Sequence, residues 1–248
     1  ISDSPGHGPL DEAIQQALGA YPNLKFRLIE NQVNVGFAKS CNKAFQMAVD
    51  EKRSVLLLNS DCVVTPGSIR EVVDVAGLDE KIAFVCPRSN NAGIASLPQK
   101  NQHREIGVEE ALFDFGKISP FLPRFSYSPI AVGFCFFVKW QILSDFGFFD
   151  EIYDKGYQEE NDLVIRANRA GYRAAFANHS FVWHEGTQSF VEAESTPEKR
   201  DLKNLREIEK RYPYYLELVS RFQRSPERRA EELLVATKIE SKPLLVFD

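Results

Sequence analysis

The chain has 248 residues, of which 44% are hydrophobic and 26% are charged, and its formal net charge is −5 at pH 7. This composition is typical of a folded globular protein and argues against intrinsic disorder. The acidic balance lacks the basic excess of most nucleic-acid-binding proteins, so we expect no nucleic-acid partner.

The length of the chain suits one large α/β domain, or a core domain followed by a helical tail. Four widely spaced cysteines without a CxxC pair predict reduced thiols in a cytosolic protein, rather than disulfides or a zinc site. They are Cys41, Cys62, Cys86 and Cys135. No apolar run reaches the length of a membrane span, and no charged-then-apolar leader precedes the domain. The chain begins at Ile1 rather than at Met, so we expect a fragment of a longer protein.

The N-terminal quarter alternates predicted strands and helices. Residues 1–6 indicate the end of a strand and a Ser/Pro/Gly turn, residues 10–20 a helix, and residues 23–29 a short strand. A helix that runs to about Asp50 and the apolar strand Val55–Leu58 follow. This order of elements predicts parallel pairing in an α/β sheet.

The apolar strand at 55–58 ends in Asn59-Ser60-Asp61. Its four residues have no polar break, which is typical of a strand that is covered on both faces. Ligands bind at the carboxyl ends of strands in open α/β sheets, so Asp61 is placed to contact a divalent cation or a phosphate-bearing ligand. A purely structural polar turn is the alternative. Thr65 and Pro66 predict the cap and the first position of the next helix.

Two earlier segments carry candidate nucleotide contacts. Asp3 lies at the same predicted sheet edge as Asp61, although a turn Asp that bonds its own backbone is the simpler interpretation. Gly36 permits a tight turn, and the free amides of the helix that follows are suited to a phosphate. Lys39 or Asn42 would add a side-chain contact, while an ordinary turn and helix start explains the segment equally well.

The middle of the chain contains a predicted strand at 82–87 and then a long irregular stretch at 88–129. Such a stretch inside a compact domain is often functional, and we interpret it as a substrate-side excursion. A buried strand follows at 130–138, and its interior Gly133 indicates the close approach of a ligand or of another backbone. A short helix is predicted at 140–145.

A second acidic cluster opens a predicted helix that ends at Gly171. Acidic residues in a first turn suit the helix dipole, so a structural role is the default. Three carboxylates within four positions nevertheless exceed what capping needs. Glu159 and Asp162 share a face of the helix, and Glu160 points about 100° away.

The last predicted strands cover 173–177 and 181–187. His184 lies in the second of them and becomes a metal ligand only if Asp61 is near it in space. Two amphipathic helices are predicted at 198–222 and 226–238. Their basic residues and tyrosines indicate a solvated face, or alternatively a surface that contacts a membrane or a partner.

Taken in order, these segments resemble the family 2 glycosyltransferases of the GT-A fold, which use nucleotide sugars. The resemblance covers about residues 1–190. Its motifs are NVGFA at 34–38 with Asn42, LNSD at 58–61, GFFDE at 147–151, EENDL at 159–163 with Arg166, and HEGTQS at 184–189. Five such motifs in the family's order are specific, although each one alone is weak.

The resemblance implies a donor site and a metal site. Asp3 would contact the base of the nucleotide, and Asp61 would hold Mg²⁺ or Mn²⁺ at the diphosphate, with His184 as a further ligand. The remaining residues of the expected nucleotide-sugar site are Gly36, Lys39, Asn42, Asn59 and Gly133. In the metal motif, Asn59 replaces the Asp that is more common in the family.

The resemblance also implies the catalytic residues. Glu160 takes the place of the catalytic Asp, which deprotonates the acceptor hydroxyl, while Glu159 and Asp162 would orient the sugars. Because Glu is one methylene longer than Asp, the choice between Glu159 and Glu160 as the base stays open. The reaction would be an inverting displacement at the anomeric carbon.

The fold implied is α/β, a GT-A-type mostly parallel sheet flanked by helices, with a Rossmann-like nucleotide-binding half, an acceptor half and a C-terminal helical tail. We expect a GT-A domain at 1–190 and a helical extension at 191–248. The family's first strand and helix would precede Ile1, so donor binding by this chain alone would be impaired.

The function expected is metal-dependent transfer of a hexosyl or deoxyhexosyl group to a glycan or lipid-linked glycan, in bacterial cell-surface polysaccharide synthesis. We expect a cytoplasmic protein, with peripheral membrane contact or homo-oligomer formation through the tail. The alternatives are a sugar-phosphate nucleotidyltransferase and a non-catalytic glycan-binding or scaffolding domain.

Overall fold

The computed structural model describes residues 1–23, 25–98, 106–153, 156–186 and 197–240, with side chains from residue 202 onward in the last range. The strands are β1 (Val55–Leu58), β2 (Cys62–Val64), β3 (Ile82–Arg88), β4 (Phe125–Ser128), β5 (Cys135–Val138) and β6 (Arg173–His184). The helices are α1 (Gly8–Ala20), α2 (Phe37–Asp50), α3 (Ser68–Ala76), α4 (Val108–Ile118), α5 (Trp140–Phe146), α6 (Glu159–Asn168), α7 (Pro197–Arg211), α8 (Tyr215–Gln223) and α9 (Pro226–Lys238).

The six strands form a mixed sheet rather than a mostly parallel one. The strand order is β1-β5-β3-β6-β2, and β4 also pairs with β6. Of the ladders between the described strands, only β3–β6 is parallel. The expectation of mostly parallel pairing is wrong because β5 inserts in the opposite direction between β1 and β3. A strand–helix order along the chain does not report such a reversed strand.

The long strand β6 replaces the two separate strands that the sequence predicts. The polar residues Asn178 and Ser180 separate the two expected strands in the sequence. Both are buried within the strand, where the Asn178 amide donates to the Pro123 carbonyl at 2.9 Å and to Ser126 Oγ at 2.7 Å. Ser180 Oγ donates to the Ser68 carbonyl at 2.9 Å, so the polar residues are satisfied without ending the strand.

The expected irregular excursion at 88–129 is partly regular, although residues 99–105 lie outside the described residues. It contains α4 and β4. The helix α4 forms because Ala111, Phe115 and Ile118 recur at helical spacing and are buried on one face. The strand expected at 130–138 shortens to β5.

The strand expected at 23–29 is absent from the residues described there. Only an isolated parallel bridge between Ser2 and Glu30 joins that part of the chain to the N-terminal segment. The expected cap of α3 is also wrong, since Thr65 Oγ1 donates to the Phe181 carbonyl at 2.5 Å and Gly67, with φ of 80°, occupies the cap position. The helices expected at 10–20, after Gly36, at 140–145 and after the acidic cluster are present as α1, α2, α5 and α6.

The C-terminal helices contribute to the main hydrophobic core. The main core cluster, which includes the central strands, also contains Ile208 of α7, Tyr212 between α7 and α8, and Tyr215 of α8. The described tail forms three helices rather than two, because the chain turns between Arg211 and Tyr215. Within the described part of the chain, no helix has the length and apolar character that a membrane span requires.

Candidate active site

Asp61 and His184 meet at one edge of the sheet. Cys62 at the start of β2 pairs directly with His184 at the end of β6, and this register places Asp61 beside the imidazole. Asp61 Oδ1 lies 3.4 Å from His184 Nε2, and the two side chains are 8% and 14% exposed. His184 therefore lies close enough to Asp61 to be a candidate metal ligand.

The hydrogen bond at the other ring nitrogen fixes the orientation of His184. Its Nδ1 lies 2.6 Å from the Asn91 carbonyl oxygen, which only accepts, so Nδ1 carries a proton and Nε2 faces Asp61. Asp61 Oδ1 is buried, and its 3.4 Å contact with Nε2 is too long for a well-formed hydrogen bond. A buried carboxylate oxygen that faces an imidazole nitrogen fits a divalent cation.

The pKa values of the two groups are shifted in the directions of an ion pair. Burial acts to raise the pKa of Asp61, yet the close polar contact with His184, its charge, and the backbone of Asp61 and Gly186 lower it overall. Burial acts to lower the pKa of His184, but the Asp61 carboxylate and the Asn91 carbonyl raise it overall. These shifts favour the charged forms of both groups, and a cation bound at Nε2 would replace the proton there.

Asn90 and Asn91 hold His184 in place, and the sequence analysis missed both. Asn90 Oδ1 accepts the His184 amide at 2.8 Å, and Asn90 Nδ2 donates to the His184 carbonyl at 2.9 Å. Asn91 Nδ2 donates to the Glu185 carbonyl at 3.1 Å. These residues follow the buried strand β3 as Asn59-Ser60-Asp61 follows β1, so the same polar ending was a usable signal.

Gly186 leaves room for this pair of asparagines. Its φ is +81°, and an added Cβ would lie 2.3 Å from Asn91 Nδ2. Close packing against Asn91 thus explains the glycine of the HEGTQS motif. Residues 187–189 of the motif lie outside the described residues.

The segment Gly133-Phe134 connects this edge to the acidic cluster. The Phe134 carbonyl accepts the Asn59 amide at 2.8 Å, and the Phe134 ring lies 5.1 Å from the His184 ring. On its other side, a Cβ added at Gly133 would lie 3.7 Å from Glu160 Cδ. The close approach predicted at Gly133 is therefore to the Glu160 side chain.

Glu159 and Glu160 are both buried at the start of α6, with 3% and 8% exposure. Burial and then the charge of Glu160 raise the pKa of Glu159 well above its ordinary value. Glu159 Oε2 has no hydrogen-bond partner among the described residues. This pair of buried carboxyl groups therefore favours a single negative charge over two.

Asp162 is held by protein donors, and its expected role in orienting a sugar stays a prediction. It is fully buried, and its Oδ1 accepts from the Tyr212 hydroxyl at 2.9 Å and the Tyr153 hydroxyl at 3.3 Å. Arg166 Nε donates to Oδ2 at 2.8 Å, and Arg211 donates to Oδ1 at 3.3 Å. With four protein donors, the carboxylate is committed to holding α6 against the tail.

The expected nucleotide contacts gather around the start of α2. Asp3 accepts the Val35 and Gly36 amides, both at 2.9 Å, so its carboxylate holds the turn at Gly36, which has φ of 89°. Asn42 uses both ends of its amide on the Phe149 backbone, at 2.9 and 3.0 Å. Lys39 is exposed and lies 3.8 Å from Glu151.

These contacts give Asp3 and Asn42 internal partners, and their roles as nucleotide contacts stay predictions. Asp3 bonds amides 32 and 33 residues away rather than its own backbone, so it is not the simple turn Asp of the alternative interpretation, and Asn42 fastens the GFFDE turn to α2. Gly36 and Lys39 remain predictions as nucleotide contacts.

A strained turn that the tail holds precedes the acidic cluster. Tyr157 and Gln158 have φ of 74° and 79°, a left-handed conformation that costs about 1–3 kcal/mol per residue. Asn204 Nδ2 of α7 donates to the carbonyls of Tyr153, Gly156 and Tyr157 at 2.7, 2.8 and 3.1 Å. The Tyr215 hydroxyl donates to Gln158 Oε1 at 2.7 Å, so tail contacts offset the strain.

Comparison with known proteins gives the family. The family model described as "Glycosyltransferase like family 2" matches residues 10–209, which is most of the chain. The chain belongs to this family. Comparison of this family 2 chain with curated proteins gave no match.

Solved structures confirm that the family 2 chain has a GT-A-like fold. One is GalNAc-T7 with UDP, GalNAc and Mn²⁺, at a TM-score of 0.58 and 15% identity over 84% of this chain. Another is the mannosyltransferase PcManGT from Pyrobaculum calidifontis with GDP-Man and Mn²⁺, at a TM-score of 0.57 and 13% identity over 96% of this chain. The chain spans 41% and 63% of the lengths of these two proteins.

Proposed function

We propose that this family 2 chain transfers a sugar from a nucleotide-diphosphate sugar to an acceptor hydroxyl with inversion, using a divalent cation. The observation that carries the proposal is the placement of Asp61 and His184 on one side of Gly133-Phe134 and of Glu160 on the other. Family membership and the nucleotide, sugar and Mn²⁺ named with the two similar structures support it.

Asp61 and His184 are the residues that would hold Mn²⁺ or Mg²⁺. Asp61 supplies a buried carboxylate oxygen and His184 supplies Nε2, while Asn90 and Asn91 keep the ring facing the site. When bound, the cation offsets the negative charge that develops on the departing diphosphate. This donor set fits Mn²⁺ better than Mg²⁺, since Mg²⁺ prefers oxygen ligands alone.

Glu160 is the proposed general base. Its carboxylate accepts the proton of the acceptor hydroxyl while the acceptor oxygen bonds to the anomeric carbon and the bond from that carbon to the diphosphate oxygen breaks. Burial and the Glu160 charge raise the pKa of Glu159, which favours one charge on the pair because two buried charges side by side are unfavourable. Of the two glutamates, we propose Glu160 rather than Glu159 as the base, since the Glu160 side chain faces Gly133.

The donor contacts are proposed around the turn that Asp3 holds. The Gly36 turn presents the start of α2, and Lys39 lies exposed on the first turn of that helix. Asn59 is tied by its backbone amide to Phe134, next to the metal ligands. A hexosyl or deoxyhexosyl donor, a glycan or lipid-linked acceptor, and a cytoplasmic site of polysaccharide synthesis complete the proposal.

Calorimetric titration with UDP, dTDP, GDP and CMP, each with Mn²⁺ and again with EDTA, tests the donor site. We expect one nucleotide to bind with Mn²⁺ and to lose binding in EDTA and in Asp61→Asn. Glu227→Asn on the exposed surface of α9 is the control and should bind normally. Release of pyrophosphate from a nucleoside triphosphate and a sugar phosphate would contradict the proposal and support a nucleotidyltransferase.

A further inference from the structure

Cys62 lies beside the Asp61–His184 pair. It follows Asp61 in sequence and pairs with His184 across the antiparallel β2–β6 ladder, so the Cys62 and His184 side chains project from the same face. One ligand atom from each of the three residues lies within 4.8 Å of the others. Tetrahedral ligands of one zinc ion are about 3.5 Å apart, so small side-chain rotations would bring these atoms together.

The environment of Cys62 differs from that of the other cysteines. Cys41, Cys86 and Cys135 are buried in the hydrophobic core, whereas Cys62 is only partly buried. Its Sγ makes a weak contact to the Phe134 carbonyl at 3.6 Å, and that carbonyl also accepts the Asn59 amide. The Cys62 side chain packs against the edge of the core, and its hydrogen bond to Phe134 is weak, so the thiol is accessible to a ligand at this edge.

A second, independent observation points to a cation in this space. The Asp61 side chain is more than nine-tenths buried, and its Oδ1 lacks a hydrogen-bond partner within the described parts of the chain. The Asn91 carbonyl holds His184 Nδ1 and so directs Nε2 to the same place. Buried acceptor atoms that converge in this way are otherwise rare.

We propose that Asp61, Cys62 and His184 form a three-ligand site that binds Zn²⁺. The set of one oxygen, one nitrogen and one sulfur suits zinc, with a fourth position left open, and suits Mn²⁺ and Mg²⁺ less well. Binding forms bonds from Cys62 Sγ and His184 Nε2 to the ion and releases the thiol proton, and any proton on Nε2, to solvent. Cysteine spacing does not reveal this site, because the ligands come from two strands.

Zinc then competes with the transferase metal at the same position, an extension that rests on the proposed function. Zinc binds nitrogen and sulfur ligands more tightly than manganese does. Zn²⁺ therefore displaces Mn²⁺ from the nucleotide-free protein and inhibits transfer that Mn²⁺ supports.

Titration of the whole chain with Co²⁺, followed by displacement with Zn²⁺, tests the site without nucleotide or turnover. Cobalt reports a thiolate ligand through a sulfur-to-metal charge-transfer band in the near ultraviolet. We expect the band in the wild-type chain and in the control Cys135→Ala, and its loss in Cys62→Ser. Zinc affinity should fall about 10-fold or more in Cys62→Ser, while Mn²⁺ affinity, measured by electron paramagnetic resonance, changes much less.

The outcomes separate this inference from the proposed function. A wild-type chain that binds Co²⁺ without the band, or a Cys62→Ser chain that keeps it, would overturn the zinc site and leave the transferase proposal intact. A band that depends on Cys62 in a chain without metal-dependent nucleotide binding would support the zinc site and contradict the transferase.

Discussion

At the residue scale, the carboxylates of the acidic cluster differ in their hydrogen-bond partners. The sequence shows that three carboxylates exceed what a helix start needs, but it does not show which of them are satisfied. Asp162 is held by tyrosine and arginine donors that come from elements distant in sequence. Glu159 is buried without such donors for its Oε2, so burial raises its pKa, and Glu160 packs against Gly133.

The raised pKa of Glu159 predicts a pH dependence of stability. A carboxyl group whose pKa is raised on folding contributes its full stability below the unfolded-state pKa of about 4.3, and this contribution falls as the pH rises toward the folded-state pKa. Glu159→Gln should therefore raise the free energy of unfolding relative to wild type at pH 7.5 and change it little at pH 4. The difference should grow by up to about 1.4 kcal/mol per pH unit between those limits.

Urea unfolding of wild type and Glu159→Gln at several pH values measures this difference. Glu12→Gln, on the exposed surface of α1, is the matched control and should show no such trend. An unfolding free-energy difference between Glu159→Gln and wild type that is the same at pH 4 and pH 7.5 would mean that Glu159 is ionised in the folded protein.

The Asn90 contacts predict an effect on the metal. Asn90→Ala removes both hydrogen bonds to the His184 backbone and so loosens the position of Nε2. We expect Mn²⁺ affinity to fall about 10–100-fold, as is typical when support of a ligating residue is lost. Asn23→Ala at an exposed position is the control. The ¹⁵N shifts of the His184 ring, which report its tautomer, should become averaged only in Asn90→Ala.

At the element scale, helical spacing predicted α1, α2, α5 and α6, while the sheet was harder to predict. The direction of β5 depends on pairing with strands that lie about fifty or more residues away, and no local pattern encodes it. In the sequence alone, Asn178 and Ser180 look like the end of one strand and the start of another, because their hydrogen-bond partners lie on other elements. For the same reason, Asn90 and Asn91 went unrecognised: their target, His184, is distant in sequence.

The α7 contact with the turn before α6 predicts a joint effect on stability and catalysis. Asn204→Ala removes the side-chain donor that the buried carbonyls of Tyr153 and Gly156 share, and should lower the free energy of unfolding by about 1–3 kcal/mol. It should also lower kcat more than it changes KM, because Glu160 follows the strained turn. Lys203→Ala, next to it on the exposed face of α7, should do neither.

Urea unfolding and steady-state kinetics of these two variants test the contact. An Asn204→Ala chain with normal stability and normal kcat would show that the turn keeps its conformation without the tail.

At the scale of the whole molecule, the tail is joined to the sheet by a buried ion pair. Arg88 at the end of β3 is fully buried and pairs with Glu231 of α9, while its guanidinium lies 4.7 Å from the centre of the Phe176 ring. Burial lowers the pKa of Arg88 to about 10, and Glu231 opposes that shift. Arg88 directly precedes the segment that holds His184, so α9 supports the candidate active site.

Breaking this pair should destabilise the molecule strongly. Glu231→Gln leaves the Arg88 charge buried without its counter-charge, which typically costs about 3–5 kcal/mol. Thermal unfolding should show a much lower Tm for Glu231→Gln than for the exposed control Glu227→Gln on the same helix. Equal Tm values would indicate that the tail is an independent extension beginning near residue 191, as the sequence alone suggested.

The measurement that tests the central claim most directly is nucleotide binding and sugar turnover in the same samples of wild type, Glu160→Gln and Glu159→Gln, with the donor that calorimetry identifies. If Glu160 is the base beside an Asp61–His184 metal site, Glu160→Gln keeps Mn²⁺-dependent binding and loses about 10²–10⁴-fold in turnover, while Glu159→Gln keeps both. Near-normal turnover by Glu160→Gln, together with loss of turnover by Glu159→Gln, would contradict this assignment.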